Sequence, residues 1–263
     1  GAQSISSLCK GVDSQANGAV LDWPLAFKYT LGKAWDLFNT PEPMVDLSGE
    51  DLDDPLTFLF DPYVPEDELT ILYGDGASLK SYIALMMAVA AATGVPIGPF
   101  EPQSVKTVAI LDWETRKGVV KRRLRRVCAG LGVEVPHVHY LWLDRPLVDT
   151  VEAIRRELDR RAVDFVVIDS IAVAAGGDIK AELVIPLMAA IRRLGEHVTK
   201  VMISHISADA VEQQEKGRKS RPLGSVFVRN LARKTHEVKR TRKEDVDTYV
   251  VAMTPEKTNE GPE

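Results

Sequence analysis

The stretch from Leu69 to Ala92 constrains this chain more than any other. An apolar run, Leu69-Thr70-Ile71-Leu72-Tyr73, leads through Gly74-Asp75-Gly76-Ala77-Ser78-Leu79-Lys80-Ser81 into a long apolar segment that opens with Tyr82. Strand, small-residue turn and helix in that order form the setting of the phosphate loop G-x-x-x-x-G-K-[ST]. These residues fit it except where Leu79 replaces the last glycine. Small residues let successive backbone N–H groups curl around phosphate oxygens, and a helix starting near Lys80 adds its positive end. The Lys80 ammonium can neutralise β- and γ-oxygens, and the Ser81 hydroxyl can complete a magnesium shell. A side chain at position 79 is tolerated if that residue already has helical φ and ψ, since only a positive φ would demand glycine. An ordinary strand–turn–helix with a chance Lys-Ser is the alternative, and the flanking strand and helix weigh against it. The loop reads as a site for a nucleoside triphosphate.

From Glu68 onward, strands and helices alternate, which argues for a parallel sheet covered on both faces. Strands are expected at Leu69–Tyr73, Thr107–Asp112, His137–Leu143, Phe165–Asp169 and Val201–His205, and helices at Ser81–Ala92, Val119–Leu131, Val148–Arg161 and Leu183–Leu194. Gly94, Gly132 and Gly195 fall just past three of those helices, where a left-handed cap is expected. After a polar stretch, Ser207–Arg221, antiparallel strands are expected near Thr235–Arg240 and Thr248–Thr254. The expected fold is α/β: a mostly parallel sheet flanked by helices, with antiparallel C-terminal strands and an N-terminal arm.

A phosphate loop calls for an acid at the end of another buried strand, to hold magnesium directly or through water. Phe165-Val166-Val167-Ile168-Asp169 supplies Asp169, although buried strands also end in Asp to cap helices. The strand ending near Leu111 leads into Asp112-Trp113-Glu114. A carboxylate there can orient the attacking water. Glu114 and Asp112 compete for that role, and strand alternation does not separate them because both point to one side. Glu114 can equally be a helix N-terminal acid interacting with the dipole. His205 closes the apolar run Val201-Met202-Ile203-Ser204, placed to donate to a γ-phosphate or simply to satisfy a strand end.

Charge is segregated along the 263 residues, and the net value of −5 conceals it. Residues 1–69 carry 3 lysines against 13 acids, so 3 − 13 = −10, whereas residues 216–243 carry 11 bases against Glu237, so 11 − 1 = +10. A second basic cluster spans Arg116–Arg126. This asymmetry suggests a polyanion partner for the basic parts, with a solvated surface as the plainer alternative. Residues 1–50 read as an acidic arm and residues 51–263 as one domain. Within the arm, Trp23–Phe38 has helical spacing of its apolar residues, with Asp22 as the cap and Pro24 in the first turn. Its apolar face must be covered, either by the chain's own core or by a neighbouring subunit.

Two cysteines, Cys9 and Cys128, are too few for a disulfide framework. The longest apolar run, Ile83–Ala92, is about half the length of a membrane span. No charged-then-apolar signal opens the chain, and Gly1 in place of methionine reads as a processed or engineered start. A cytoplasmic protein without a membrane partner is expected.

Taken in order, VPEDELTILYGDGASLKSYIALMMA, VAILDWET, LRRVCAGLG, FVVIDSIAVAAGGD, VMISHIS, PLGSVFVRNLAR and EKTNEGP resemble the RecA-like P-loop ATPases. The likeness is to the AAA_25 or RepA-like group related to phage and plasmid hexameric replicative helicases. It runs from about Pro62 to the C-terminus. It implies a RecA-like P-loop NTPase core with ATP and Mg2+ as ligands. Gly74–Ser81 and the adjoining Tyr82 would bind nucleotide, Lys80 and Ser81 being the Walker A pair. Asp169 would be the Walker B acid, Glu114 the catalytic glutamate and His205 the γ-phosphate sensor. The loop after His205, with Lys216, Arg218, Lys219 and Arg221, would contact nucleic acid. Lys257 would be a finger reaching a neighbour's γ-phosphate, while Asn259 stands where related helicases carry a second finger arginine. Arg123 falls where relatives place an arginine against the base. Relatives continue beyond Glu263, so a longer protein is implied.

The resemblance therefore implies a hexameric, ATP-hydrolysing DNA helicase of bacterial, phage or plasmid origin. It would translocate on single-stranded DNA and work beside a primase or other replisome protein. A recombinase-like filament and a nucleotide-switched DNA-binding protein with negligible turnover are the alternatives.

Overall fold

The structure is a computed structural model that describes residues 22–39, 56–177, 181–206, 232–242 and 248–258. By its internal contacts the chain divides into two units, Gly1–Asp54 and Pro55–Glu263.

In the first unit, helix α1 (Trp23–Asn39) forms where the apolar spacing places it. Asp22 caps it as expected: its Oδ1 accepts the Leu25 N–H at 3.2 Å and its carbonyl accepts the Ala26 N–H at 2.8 Å.

The second unit opens with a small antiparallel pair, β1 (Phe58–Phe60) and β2 (Val64–Pro65). Segments this short show no period, so the sequence does not announce them. The chain then runs through β3 (Leu69–Gly74), α2 (Lys80–Thr93), β4 (Val108–Asp112), α3 (Lys117–Leu131), β5 (Val138–Trp142) and α4 (Leu147–Arg160). It continues through β6 (Phe165–Asp169), the one-turn α5 (Ile171–Ala174), α6 (Ala181–Arg192), β7 (Thr199–His205), β8 (Lys234–Arg242) and β9 (Tyr249–Thr258).

Among the described residues the main sheet has seven strands in the order β5-β4-β6-β7-β3-β8-β9. All pairs are parallel except β8 with β9. The expected α/β architecture is thus present, including its antiparallel C-terminal strands. The β8–β9 ladder is longer than its apolar residues suggest, because backbone pairing continues past Val238 through Lys239, Arg240 and Arg242.

Alternation along the central strands sends side chains to two cores. On one face Leu72, Ile110, Val167 and Val201 pack with Ala84 and Ala88 of α2 and with Leu124 and Cys128 of α3. On the other, Ile71, Leu111, Ile168 and Met202 pack with Ile154 of α4 and with Leu187 and Ile191 of α6. Strand β3 is buried from end to end, and β4 likewise. Strands covered on both faces read as unbroken apolar runs, which is why these were legible. Helices α2 and α3 end at Gly94 and Gly132 in the left-handed conformation expected of them, with φ of 71° and 67°.

Candidate nucleotide-binding and hydrolysis site

Four adjacent strands, β4, β6, β7 and β3, bring their C-terminal ends together, and each contributes to one cluster. In a parallel sheet this edge is where loops diverge and ligands sit.

From β3 the chain turns through Gly74–Ser78 into α2. Helix α2 opens at Leu79 with no side-chain cap on its first amides. Uncapped N–H groups at a helix start are ready donors for an anion. Leu79 itself has φ 71° and ψ 19°, and Ala77 has φ 59°. The condition under which a side chain at position 79 carries no penalty is therefore not met: leucine occupies the left-handed turn that the motif normally gives to glycine. The loop's closure imposes that turn, at a cost of roughly 1–2 kcal/mol for a side chain.

Lys80 is 4% exposed, and its Nζ donates to the carbonyls of Gly74 at 2.9 Å and Asp75 at 2.7 Å and to Ser78 Oγ at 3.2 Å. Burial pushes the ammonium below its usual pKa, with Asp169, Asp75 and Glu114 opposing. The lysine thus spans the loop from within, its charge held beside the helix start.

Ser81 Oγ donates to Asp169 Oδ2 at 2.9 Å. Burial raises the Asp169 carboxyl to about 6, against the Ser81 hydrogen bond. A hydroxyl and a desolvated carboxylate side by side, next to a phosphate cradle, suit a hard divalent cation. Among the described residues no group of three His, Cys, Asp or Glu side chains forms a metal cage by itself.

The turn after β4 separates the two competing acids. Asp112 is 1% exposed, and its Oδ1 accepts the N–H groups of Glu114 and Thr115, both at 2.8 Å. Tyr140 from β5 donates its hydroxyl to the Thr115 carbonyl at 2.6 Å, with Asp112 Oδ2 3.3 Å from the same oxygen. Asp112 therefore builds the turn, and Glu114 projects from it. Ser170, directly after Asp169, donates its hydroxyl to Glu114 Oε1. His205 Nε2 lies 3.7 Å from the same oxygen. The His205 imidazole and the Ser170 hydroxyl hold the Glu114 carboxyl below its usual range despite burial. His205 stands opposite Gly74 in the β3–β7 register, so it flanks the phosphate loop.

Arg123 of α3 places its guanidinium 5.8 Å from the Tyr82 ring centre, so those two predicted nucleotide contacts do meet. Lys257 sits elsewhere: it pairs with Thr235 near the start of β8, and its Nζ donates to the Ala232 carbonyl at 2.9 Å. Lys216, Arg218, Lys219, Arg221 and Asn259 lie outside the described residues. Three groups not singled out from sequence also belong to the site. Ser170 and Tyr140 need cross-strand register to be seen. The third is β8, which walls a cleft of about 250 Å³ against Gly74–Ser78 with Glu237, Lys239 and Arg240. A second cavity, about 310 Å³, opens beneath β5 against α4 and shares Tyr140 with the site.

This fold and this cluster define a RecA-like P-loop ATPase. The sequence matches the AAA domain family AAA_25 over residues 41–207, and the chain belongs to that family. Its fold is similar to that of the KaiC-like protein PH0186 from the hyperthermophilic archaeon Pyrococcus horikoshii OT3. The TM-score is 0.52 and the identity 14%, over 80% of this chain and 92% of that one. No curated protein matches the sequence. Among the described residues no helix is long and apolar enough to cross a membrane.

Proposed function

We propose that the chain hydrolyses ATP as a subunit of a ring-forming motor that moves along single-stranded DNA, a replicative-type helicase. The observation that carries the reading is the convergence of Lys80, Ser81, Asp169, Glu114 and His205 on four contiguous strand ends.

When bound, MgATP supplies the phosphoryl group. Lys80 and the open amides of α2 hold the phosphates, and Ser81 and Asp169 hold the cation. Glu114, kept ionised by its two neighbours, orients a water and takes its proton. His205 links that glutamate to the chain from residue 207 onward, where Lys216, Arg218, Lys219 and Arg221 supply phosphate contacts that need no base reading. Lys257 pairs with Thr235, two register positions before Glu237 on the cleft wall. Its proposed role is therefore in trans, at a neighbour's phosphates.

The test is ATP turnover with and without single-stranded DNA. Lys80→Ala and Glu114→Gln should abolish turnover, and stimulation by DNA should vanish with alanine at 218, 219 and 221. Unchanged turnover in the first two variants would remove the mechanism. Negligible turnover by the unaltered protein would instead support the nucleotide-switch reading. The same core serves a recombinase filament. Electron microscopy decides between them, since closed rings and open helices differ in whether the subunit rotation closes.

A further inference from the structure

Helix α3 carries six cationic residues, Lys117, Lys121, Arg122, Arg123, Arg125 and Arg126, and no acid. Val120, Leu124, Val127 and Cys128 face the core, and Arg123 turns to Tyr82. Lys121, Arg122, Arg125 and Arg126 remain on one exposed arc. Among the described residues none of these four side chains forms an ion pair or hydrogen bond.

The next long helix along the chain, on the other face of the sheet, provides the contrast. Around α4, Arg155 meets Asp159, Arg160 and Arg161 share Glu157, and Arg193 reaches Glu152. Four of the arginines there lie against a carboxylate. On α3, Lys121 and Arg125, and Arg122 and Arg126, are like charges one turn apart, which disfavours the helix in isolation. An uncompensated arc of this kind is stabilised by an external anion. Guanidinium groups are weakly hydrated and bind phosphate bidentately.

We infer that the exposed arc of α3 binds the phosphate backbone of single-stranded nucleic acid, as a second contact surface beside the segment after His205. The inference rests on the proposed action on a nucleic-acid strand. It deepens that reading by placing part of the track on the helix that starts just past Glu114. One arc of α3 then faces the nucleotide through Arg123, and another faces the strand. The binding is sequence-independent and falls with salt.

The experiment titrates a labelled oligodeoxythymidine by fluorescence anisotropy across a salt series, using the full chain. Replacing Lys121, Arg122, Arg125 and Arg126 together with glutamine should weaken binding at least tenfold at moderate salt. The slope of log affinity against log salt should become shallower by roughly 3, at about 0.7 per phosphate contact on a single strand. The pair Lys121→Gln and Arg125→Gln should give about half that change, and ATP turnover without DNA should be unaffected in both. An unchanged slope and affinity would overturn this surface while leaving the loop at 216–221 standing. A loss of binding that appears only with a changed assembly mass would mark α3 as a contact between copies and also overturn it. If the unaltered protein binds the oligonucleotide but does not turn over ATP, the motor reading fails and this surface does not.

Discussion

Ser170 Oγ and His205 Nε2 converge on a single oxygen of Glu114, the serine donating a hydrogen bond and the imidazole standing 3.7 Å away. The three residues come from the ends of β6, β7 and β4. The carboxylate that would activate water is therefore positioned from two neighbouring strands at once.

Removing the serine hydroxyl should loosen Glu114 without touching the phosphate cradle. Ser170→Ala should lower kcat roughly tenfold, about 1.4 kcal/mol of barrier, with KM for ATP unchanged. Ser170 helps hold the Glu114 carboxyl down, so its loss should move the acid limb of the pH–rate profile to higher pH. Ser170→Thr keeps the hydroxyl and should recover both. A profile identical to that of the unaltered enzyme would remove Ser170 from the positioning of Glu114.

Leu79 is the least favourable backbone position in the loop, a leucine at φ 71°. Glycine adopts that conformation without a Cβ penalty and also suits a helix cap. Leu79→Gly should therefore stabilise the protein by about 1 kcal/mol, or roughly 3 °C in Tm, with ATP binding retained. A fall in Tm on a thermal scan would show that the Leu79 side chain contributes more packing than its turn costs.

Gly74 has the opposite constraint. A Cβ built there would sit 2.3 Å from the Val238 carbonyl oxygen and 3.1 Å from Ser78 Oγ. The first is backbone of β8 and cannot swing aside. Gly74→Ala should separate β3 from β8 at the cleft, destabilising the fold by roughly 1–3 kcal/mol and weakening binding of a fluorescent ATP analogue. Denaturant unfolding and nucleotide titration together check it, and wild-type values in both would contradict the close approach.

These residues also mark how far the sequence could be read. The loop, Asp169 and His205 were legible because each follows an unbroken apolar strand, so strand ends could be counted. The choice between Asp112 and Glu114 was not, because it is made by a turn in which Asp112 accepts two backbone N–H groups. Nor was Ser170, whose partner lies across the β4–β6 register. The φ of Leu79 is not legible either, since leucine disfavours the conformation that loop closure forces on it. Strands β1 and β2 were missed because two or three residues carry no period.

A last prediction concerns Lys200, at the opposite end of β7 from His205. Its side chain is 4% exposed, and its Nζ donates to the carbonyls of Gly195 and Val198. Burial lowers its pKa from 10.5 to about 8, with Asp67, Glu68 and Glu196 opposing. Between those two values the unfolded chain holds a proton that the folded protein has released. Stability must then rise with pH across the window, from about pH 8 to about pH 10.5. The full effect is about 3 kcal/mol at 1.36 kcal/mol per unit. Other titrating groups cancel when the protein is compared with Lys200→Met, which lacks the charge. The difference in unfolding free energy between the two, measured with denaturant at several pH values, should climb in favour of the lysine form as pH increases. A flat difference would mean that Lys200 keeps an ordinary lysine pKa in the fold, with water reaching its ammonium through the strand end.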